Sequence, residues 1–228
     1  MKAKLVLVGV GGSGSKLLAT LVRMDAALKA LGGEGIHLVA IDGDRVSEAN
    51  LVRQAFLPSD LGRNKAEALV NRVNLLFGKG WEYRPRAFRP EDLEGRPKAL
   101  VTALVTALDS GRARSEVAEA VEEHPGLWWV DLGNGDRWGQ VLAGNGLEVP
   151  WPHQQQPALL TGEDEGPSCS ALEALLRQDL LVNDMAALWA AEILWGLLRK
   201  GRPSFSAVFY NLDRGEVRAV RNGSLAPT

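Results

Sequence analysis

Residues 4–33 read KLVLVGVGGSGSKLLATLVRMDAALKALGG, and this stretch decides the fold. Lys4, Leu5, Val6, Leu7 and Val8 form a short aliphatic run that ends directly in Gly9, the pattern of a buried strand in a parallel sheet. The glycine-rich segment GVGGSGS follows at 9–15. Leu17, Leu21, Met24, Leu28 and Leu31 then recur at helical spacing until Gly32 and Gly33 stop the pattern. Strand, glycine turn and helix in that order let the backbone approach a phosphate at a helix N-terminus. A tight packing turn uses the same glycines, so the segment leaves both readings open.

Working outward, the alternation continues. A second strand is expected at 36–41, and a helix is signalled by Ala66, Leu69, Val70, Val73 and Phe77. A strand follows near 81–86, with Pro85 placing it toward a sheet edge. An apolar run at 99–108 stops at Asp109, and a helix over 112–123 and a strand over 127–132 complete the pattern. Strands and helices in alternation predict an α/β fold: a Rossmann-like, mostly parallel sheet flanked by helices. Residues 145–168 read as a long exposed loop, of a length that is uncommon in compact domains unless functional or disordered. Within it Trp151 looks exposed and His153 reads as a solvated loop residue. Ser170 and Glu173 have capping-box spacing ahead of an apolar helix or helix pair that runs to Lys200. Strands at 205–210 and 216–220 predict a C-terminal antiparallel hairpin, and residues 1–228 are expected to form a single domain.

The chain has 228 residues, 46% of them hydrophobic and 24% charged, which is ordinary globular composition. A net charge of −2 offers no electrostatic footprint for nucleic acid or an anionic membrane, so neither partner is expected. The longest apolar stretch, 180–198, is interrupted by Asn183, Asp184 and Glu192, which argues against a membrane span. A single cysteine, Cys169, cannot close an internal disulfide or supply a four-thiolate zinc site. With no secretory leader before the first apolar run, a cytoplasmic location is expected.

Candidate ligand-binding residues cluster near the glycine turn in sequence. Gly9, Gly11, Gly12, Ser13 and Gly14 are placed to surround phosphates, and Asp42, ending the second strand, to accept from ribose hydroxyls. Asp44 is a weaker candidate for the same task; for either aspartate the alternative is a solvated charge at a strand end. Asn50, Arg53, Gln54 and Lys65 follow, and two cations behind a phosphate loop suit a triphosphate, unless Arg53 and Lys65 lie on solvated faces. Asp109, at the carboxyl edge of the sheet, is placed either to hold Mg²⁺ or to cap a helix.

Taken together, GVGGSGS at 9–15, IDGDRVSEANLVRQAF at 41–56, GRNKAEAL at 62–69 and Asp109 resemble the ThiF family of E1-like adenylyltransferases. PSCSALEALLRQDLLVNDMAALWAAEILWGLL at 167–198 is similar to that family's cysteine-containing loop and following helix. WVDLGNGDRWGQVLAG at 129–144 and PSCSALEALLRQDLLVN at 167–183 look in particular like the ThiF-like component of PRTRC cassettes, which implies ubiquitin-like and peptidase-like companions.

The resemblance implies a ThiF/E1-like adenylation fold in which the glycines surround the nucleotide phosphates and Asp42 holds the ribose. Asn50, Arg53, Gln54 and Lys65 would contact the triphosphate and the reacting carboxylate, with Asp109 on magnesium. Arg53, Lys65, Asp109 and Cys169 would be the catalytic set, with Cys169 at the thioester or sulfur-transfer position. Its alternative is an inert buried thiol. ATP and Mg²⁺ are the implied cofactors, and zinc is not expected because the family's two Cys pairs are absent. The implied partner is a small ubiquitin-like or sulfur-carrier protein with a flexible C-terminal tail, and the implied assembly a homodimer. Ser110 replaces an asparagine usual after the magnesium aspartate, and Thr106 stands where an aspartate often sits. Many relatives supply an arginine across a dimer interface from a helix ahead of the first strand; here Arg23 and Arg114 are the candidates to replace it. Two other readings remain: a nucleotide-binding scaffold for the same partner without chemistry, and an NAD-binding oxidoreductase resting only on the glycine turn and Asp42.

Overall fold

The structure of the protein is a computed structural model and describes residues 3–94, 102–161 and 179–222. Its strands are β1 (Ala3–Val8), β2 (Ile36–Ile41), β3 (Glu82–Arg84), β4 (Thr102–Thr106), β5 (Trp128–Asn134), β6 (Trp138–Gly144), β7 (Phe205–Asn211) and β8 (Glu216–Arg221). The helices are α1 (Gly12–Ala30), α2 (Asn50–Arg53), α3 (Lys65–Phe77), α4 (Gly111–Glu122), α5 (Pro152–Gln155) and α6 (Val182–Lys200). All the strands join one sheet in the order β3-β2-β1-β4-β5-β6-β7-β8. The first five in chain order pair in parallel, and the last three are added through antiparallel pairs. The result is an α/β fold with a mostly parallel sheet and a C-terminal antiparallel hairpin.

The alternation of β1 explains why helices cover both faces of the sheet. Leu5 and Leu7 point to one side, where Leu17 and Leu21 of α1, Val70 of α3 and Leu194 of α6 bury them. Val6 and Val8 point to the other, against Val117 and Val121 of α4. β1 pairs with β2 on one flank and with β4 on the other, with Val8 level with both Ile41 and Thr106. The chain winds outward from β1 in both directions. The crevice beyond its carboxyl end is therefore the switch point at which open α/β sheets collect ligands.

Two features depart from the sequence expectations. β6 was not anticipated: WGQVLAG lacks alternation because every residue after Trp138 is buried, on both faces of the sheet. The described part of the expected exposed loop, residues 145–161, instead packs on the α4 face; residues 162–168 lie outside the described residues. Asn145 Oδ1 accepts from the N–H groups of Leu147, Glu148 and Val149 at 2.9–3.2 Å, closing a turn that seats Trp151 in the core at 4% exposure. His153 stacks at 5.8 Å on the Trp129 ring, with Nε2 3.1 Å from Glu122, so it is not a solvated loop residue. Trp138 is the exposed tryptophan here, at 52%. The capping-box pair Ser170 and Glu173 lies outside the described residues.

Away from the crevice, two buried carboxylates fasten the sheet. Asp25 on α1 accepts from Ile36 N–H at 2.6 Å and pairs with Lys29 and Lys79, joining α1, β2 and the end of α3. Asp92 pairs with Arg84 and Arg86 at the β3 edge. Burial raises both carboxyl pKa values, but the N–H donors and cations outweigh it and hold them below the ordinary 3.8. A depressed folded-state pKa contributes stability that is complete above 3.8 and is lost as pH falls through the folded values. These two carboxylates thus give the midpoint of urea unfolding a plateau at neutral pH and a drop below about pH 4. Asp25→Asn should lower the plateau and shallow that acid limb, and a curve parallel to the native one would refute the assignment.

Candidate functional site

β1 delivers the chain into the crevice through Gly9, whose φ of +83° is a left-handed conformation that side chains rarely adopt. Its N–H donates to Ile41 O at 2.9 Å, and a Cβ there would sit 2.5 Å from the Ala107 carbonyl oxygen. Gly11 precedes α1 as its N-cap without a capping side chain, and the first turn carries no acidic residue. The first intrahelical bond is Ser15 N–H to Gly11 O at 3.1 Å. Helix geometry leaves the N–H groups of Gly12, Ser13 and Gly14 without intrahelical acceptors, and the dipole places partial positive charge there. A methyl group at Gly14 would run into the Gly9 carbonyl, and one at Gly12 into the Asn183 amide.

Asp42 follows β2 and lies beside this turn, almost wholly buried. Its Oδ2 accepts from Val10 N–H at 2.7 Å and its Oδ1 from Asp44 N–H at 2.8 Å. Burial pushes its carboxyl above the usual aspartate value, although Lys65 and the two N–H donors pull the other way. Asn64 donates from Nδ2 to the carbonyls of Asp42 and Asp44 at 2.8 and 3.0 Å, and its Oδ1 caps α3 by accepting from Glu67 N–H. That cap sets Lys65 as the first residue of α3. Its buried stem delivers Nζ to the exposed Asp44 carboxylate at 2.8 Å. Lys65 and Asp44 thus form an ion pair at the lip of the site.

The segment around α2 closes the third side. Ser15 Oγ accepts from Ala55 N–H at 3.1 Å, which holds this segment against α1. Gln54 reaches toward Gly11, and its Oε1 is buried without a hydrogen-bond partner among the described residues. Arg53 is half-buried, and desolvation lowers its guanidinium pKa. Asn50 Oδ1 accepts from Ser47 N–H and Oγ at 2.9 and 3.1 Å, so that end of the amide shapes the turn.

Asp109 is exposed in the loop after β4, three residues beyond the strand. A buried network anchors the loop. Arg114 pairs with Asp131 at 3.2 Å and donates to the Leu108 carbonyl, while Thr106 Oγ1 donates to Asp131 at 2.6 Å and accepts from Trp129 Nε1 at 2.8 Å. Ser110 Oγ accepts from Ala113 N–H and caps α4. Arg114 is therefore committed to the fold and is not an arginine for a ligand. Arg23, exposed on α1, is about 16 Å along the helix from Gly12 by its rise per residue, so it does not reach the turn of its own chain. Cys169 lies outside the described residues.

Sequence reasoning missed Asn183 and Asn134. Asn183, in the first turn of α6, is 2% exposed and accepts on Oδ1 from Ser13 Oγ at 3.0 Å and from Asn134 Nδ2 at 3.2 Å. The available signal was an amide inside an otherwise apolar helical stretch. Next to it Asp184 pairs with Lys16 at 3.2 Å.

The chain belongs to the ThiF family, whose model matches residues 1–225. No curated protein matches it in sequence. Similar solved structures include PaaA, at 17% identity and a TM-score of 0.68, and E. coli MccB with ATP, at 18% and 0.66; the match covers 98% of this chain in both. The microcin C7 biosynthetic enzyme MccB in complex with N-formylated MccA is similar at 19% and 0.63, over 98% of this chain. The chain spans 65% of the length of the first two and 66% of the third.

Removing one partner of the Arg114–Asp131 pair leaves an uncompensated buried charge. Arg114→Met is expected to lower the unfolding free energy by about 3–5 kcal/mol. Adding Asp131→Leu should recover part of that loss, because the orphaned carboxylate goes with it. Chemical denaturation checks both, and a single-variant loss under about 1 kcal/mol would contradict the buried pair.

Proposed function

We propose that this ThiF-family chain uses ATP to adenylate the C-terminal carboxylate of a small ubiquitin-like or sulfur-carrier protein with a flexible, glycine-containing tail. The observation that carries the reading is the convergence of three features on one crevice: the uncapped α1 terminus, the buried Asp42 carboxylate and the Lys65 ammonium.

In this reading the N–H groups of Gly12, Ser13 and Gly14 hold phosphate oxygens, and the Asp42 oxygens accept from the ribose hydroxyls on their remaining lone pairs. Lys65 keeps two ammonium hydrogens beyond the one on Asp44, and with Arg53 it faces the triphosphate. Asn50 and Gln54 complete the contacts, the buried Gln54 Oε1 being one of the groups that a ligand donor would satisfy. An oxygen of the partner's carboxylate attacks the α-phosphorus. The bond from that phosphorus to the bridging oxygen breaks, and pyrophosphate leaves with the electron pair. The product is an acyl adenylate, and the fixed cations stabilise the charge that spreads over the phosphorus centre.

Mg²⁺ commonly binds through one or two carboxylates together with substrate phosphates. Asp109, a single exposed carboxylate on an anchored loop at the same edge, fits that donor pattern and would hold the ion, which supplies charge neutralisation. We assign the chain to the PRTRC branch on the phrases at 129–144 and 167–183, and give Cys169 the subsequent thioester step. We also take it to be a cytoplasmic homodimer. Among the described residues no helix is long and apolar enough to cross a membrane.

A catalytically weak scaffold is the second reading. It is favoured by the Lys65–Asp44 pair, which engages the cation, and by Ser110 serving as a helix cap. Isotope exchange between pyrophosphate and ATP in the presence of the cassette's tail-bearing companion separates the two. Adenylation predicts exchange that falls about 10²–10³-fold in Arg53→Ala or Lys65→Ala. ATP binding with no exchange from any candidate tail would leave only the scaffold. A companion conjugate that is cleaved by thiols and disappears in Cys169→Ala tests the later step.

Asp42 adds a pH signature. Its ionised form accepts from the ribose, so protonation weakens binding, and the raised pKa moves that loss to a pH above 3.8. Affinity for ATP is expected to fall as pH drops through this value, while 2′,3′-dideoxy-ATP should bind weakly at neutral pH and lack the acid limb. Identical pH curves for the two nucleotides would remove Asp42 from the ribose.

A further inference from the structure

The first turn of α6 reaches across the crevice to the phosphate-facing end of α1, and the glycine turn does not explain why. Asn183 is the contact. It is buried at 2% exposure, and its Oδ1 accepts the Ser13 hydroxyl at 3.0 Å and Asn134 Nδ2 at 3.2 Å. Ser13 Oγ also lies 3.3 Å from Asn134 Oδ1, so the three side chains form one closed group spanning α1, β5 and α6. The Asn183 amide lies so close to Gly12 that a Cβ on that glycine would collide with it. The adjacent pair of Asp184 with Lys16 ties the same two helices one turn further on. Tyr210 donates to the Val182 carbonyl at 2.7 Å and pins the start of α6 to β7.

We infer that Asn183 is a positioning residue for polyphosphate: it fixes Gly12 and Ser13 so that the first-turn N–H groups of α1 point into the crevice, and it does so with a neutral amide. The inference rests on the proposed binding of ATP at this turn. The neutrality is what a test can exploit. An acceptor oxygen is all that the Ser13 and Asn134 donors need, and an aspartate would supply it with a stronger, charge-assisted hydrogen bond. It would also interact favourably with the α1 dipole in the absence of ligand. A carboxylate at this depth, however, would face the phosphates across a poorly solvated gap, where like charges repel far more than in water. Burial alone already favours an amide over a carboxylate at 2% exposure, so the polyanion role is read from the difference between a charged and a neutral ligand.

Asn183→Asp keeps the acceptor oxygen, removes the amide's donors and adds a charge, so the roles are separated by the ratio of ATP to adenosine affinity. Affinities for ATP and for adenosine, which lacks phosphates, are measured by calorimetry on the full chain alongside the melting temperature. The expected result is a lowered melting temperature, from the solvation lost by the buried carboxylate, with an ATP Kd raised at least tenfold and an adenosine Kd within twofold in the folded protein. Ser13→Ala gives a second reading that does not depend on a buried charge: loss of one neutral hydrogen bond should weaken ATP about fivefold and adenosine hardly at all.

The inference is overturned if ATP and adenosine lose affinity by the same factor in both variants, or if ATP binds both variants as tightly as the native chain. These outcomes leave adenylation standing. Conversely, native ATP binding with the expected split but no pyrophosphate exchange would sink adenylation and leave Asn183 in its role. A native chain that binds no ATP would defeat both.

Discussion

Both oxygens of the Asp42 carboxylate accept backbone N–H donors, one from Val10 inside the glycine turn and one from Asp44 in the loop after β2. The shape of the crevice hangs on this arrangement. It locks the carboxyl ends of neighbouring parallel strands together beyond the last ladder bond, where the sheet itself no longer can. Asn64 then grips the carbonyls of residues 42 and 44 and caps α3, so the position of Lys65 is inherited from Asp42 through two short steps. The desolvation that raises the Asp42 pKa is the electrostatic cost of seating the carboxylate at this junction.

The part of the site that was legible in the sequence is the part that is local. Gly9, Gly12 and Gly14 could be read because each makes a close approach, to Ala107, Asn183 and Gly9 respectively, that only glycine permits. Asp42 was legible as the residue after a strand. Arg114 stands among the candidates for a ligand arginine because its charge is visible in the sequence and its partner is not: Asp131 lies 17 residues away on a different element. Trp151 and His153 were misplaced for a related reason. A proline- and glutamine-rich stretch reads as exposed, and only the fold shows that Asn145 turns the chain back so that His153 meets Trp129 and Trp151 joins the same buried cluster. β6 escaped because burial on both faces erases the period of two that marks a strand.

Asn183 is the instructive omission. A polar residue within an apolar helical run was noticed as an interruption of hydrophobicity, and that is all a one-dimensional reading can extract. Its meaning depends on Ser13, 170 residues earlier, and on Asn134, 49 residues earlier. A buried amide is tolerated only when its hydrogen bonds are made, so the burial of Asn183 already implied partners; which partners is a property of topology. The sheet order supplies them, because β1 and β5 flank β4 and both end at the crevice that α6 crosses.

Asp42, beside the glycine turn, and Arg53, on α2, are displaced from their ordinary titration in opposite directions by the same cause. Burial raises the Asp42 carboxyl and lowers the Arg53 guanidinium, so each is held in an environment that disfavours its charged form. Two groups held in this way each gain more from a ligand's hydrogen bond than they would in water. In the proposed reading a nucleotide triphosphate supplies both at once, hydroxyls to Asp42 and phosphate oxygens to Arg53. An uncharged ligand would serve only the first, and inorganic pyrophosphate only the second. The two residues together, more than either alone, are what would make the crevice selective for a molecule with a ribose at one end and polyphosphate at the other.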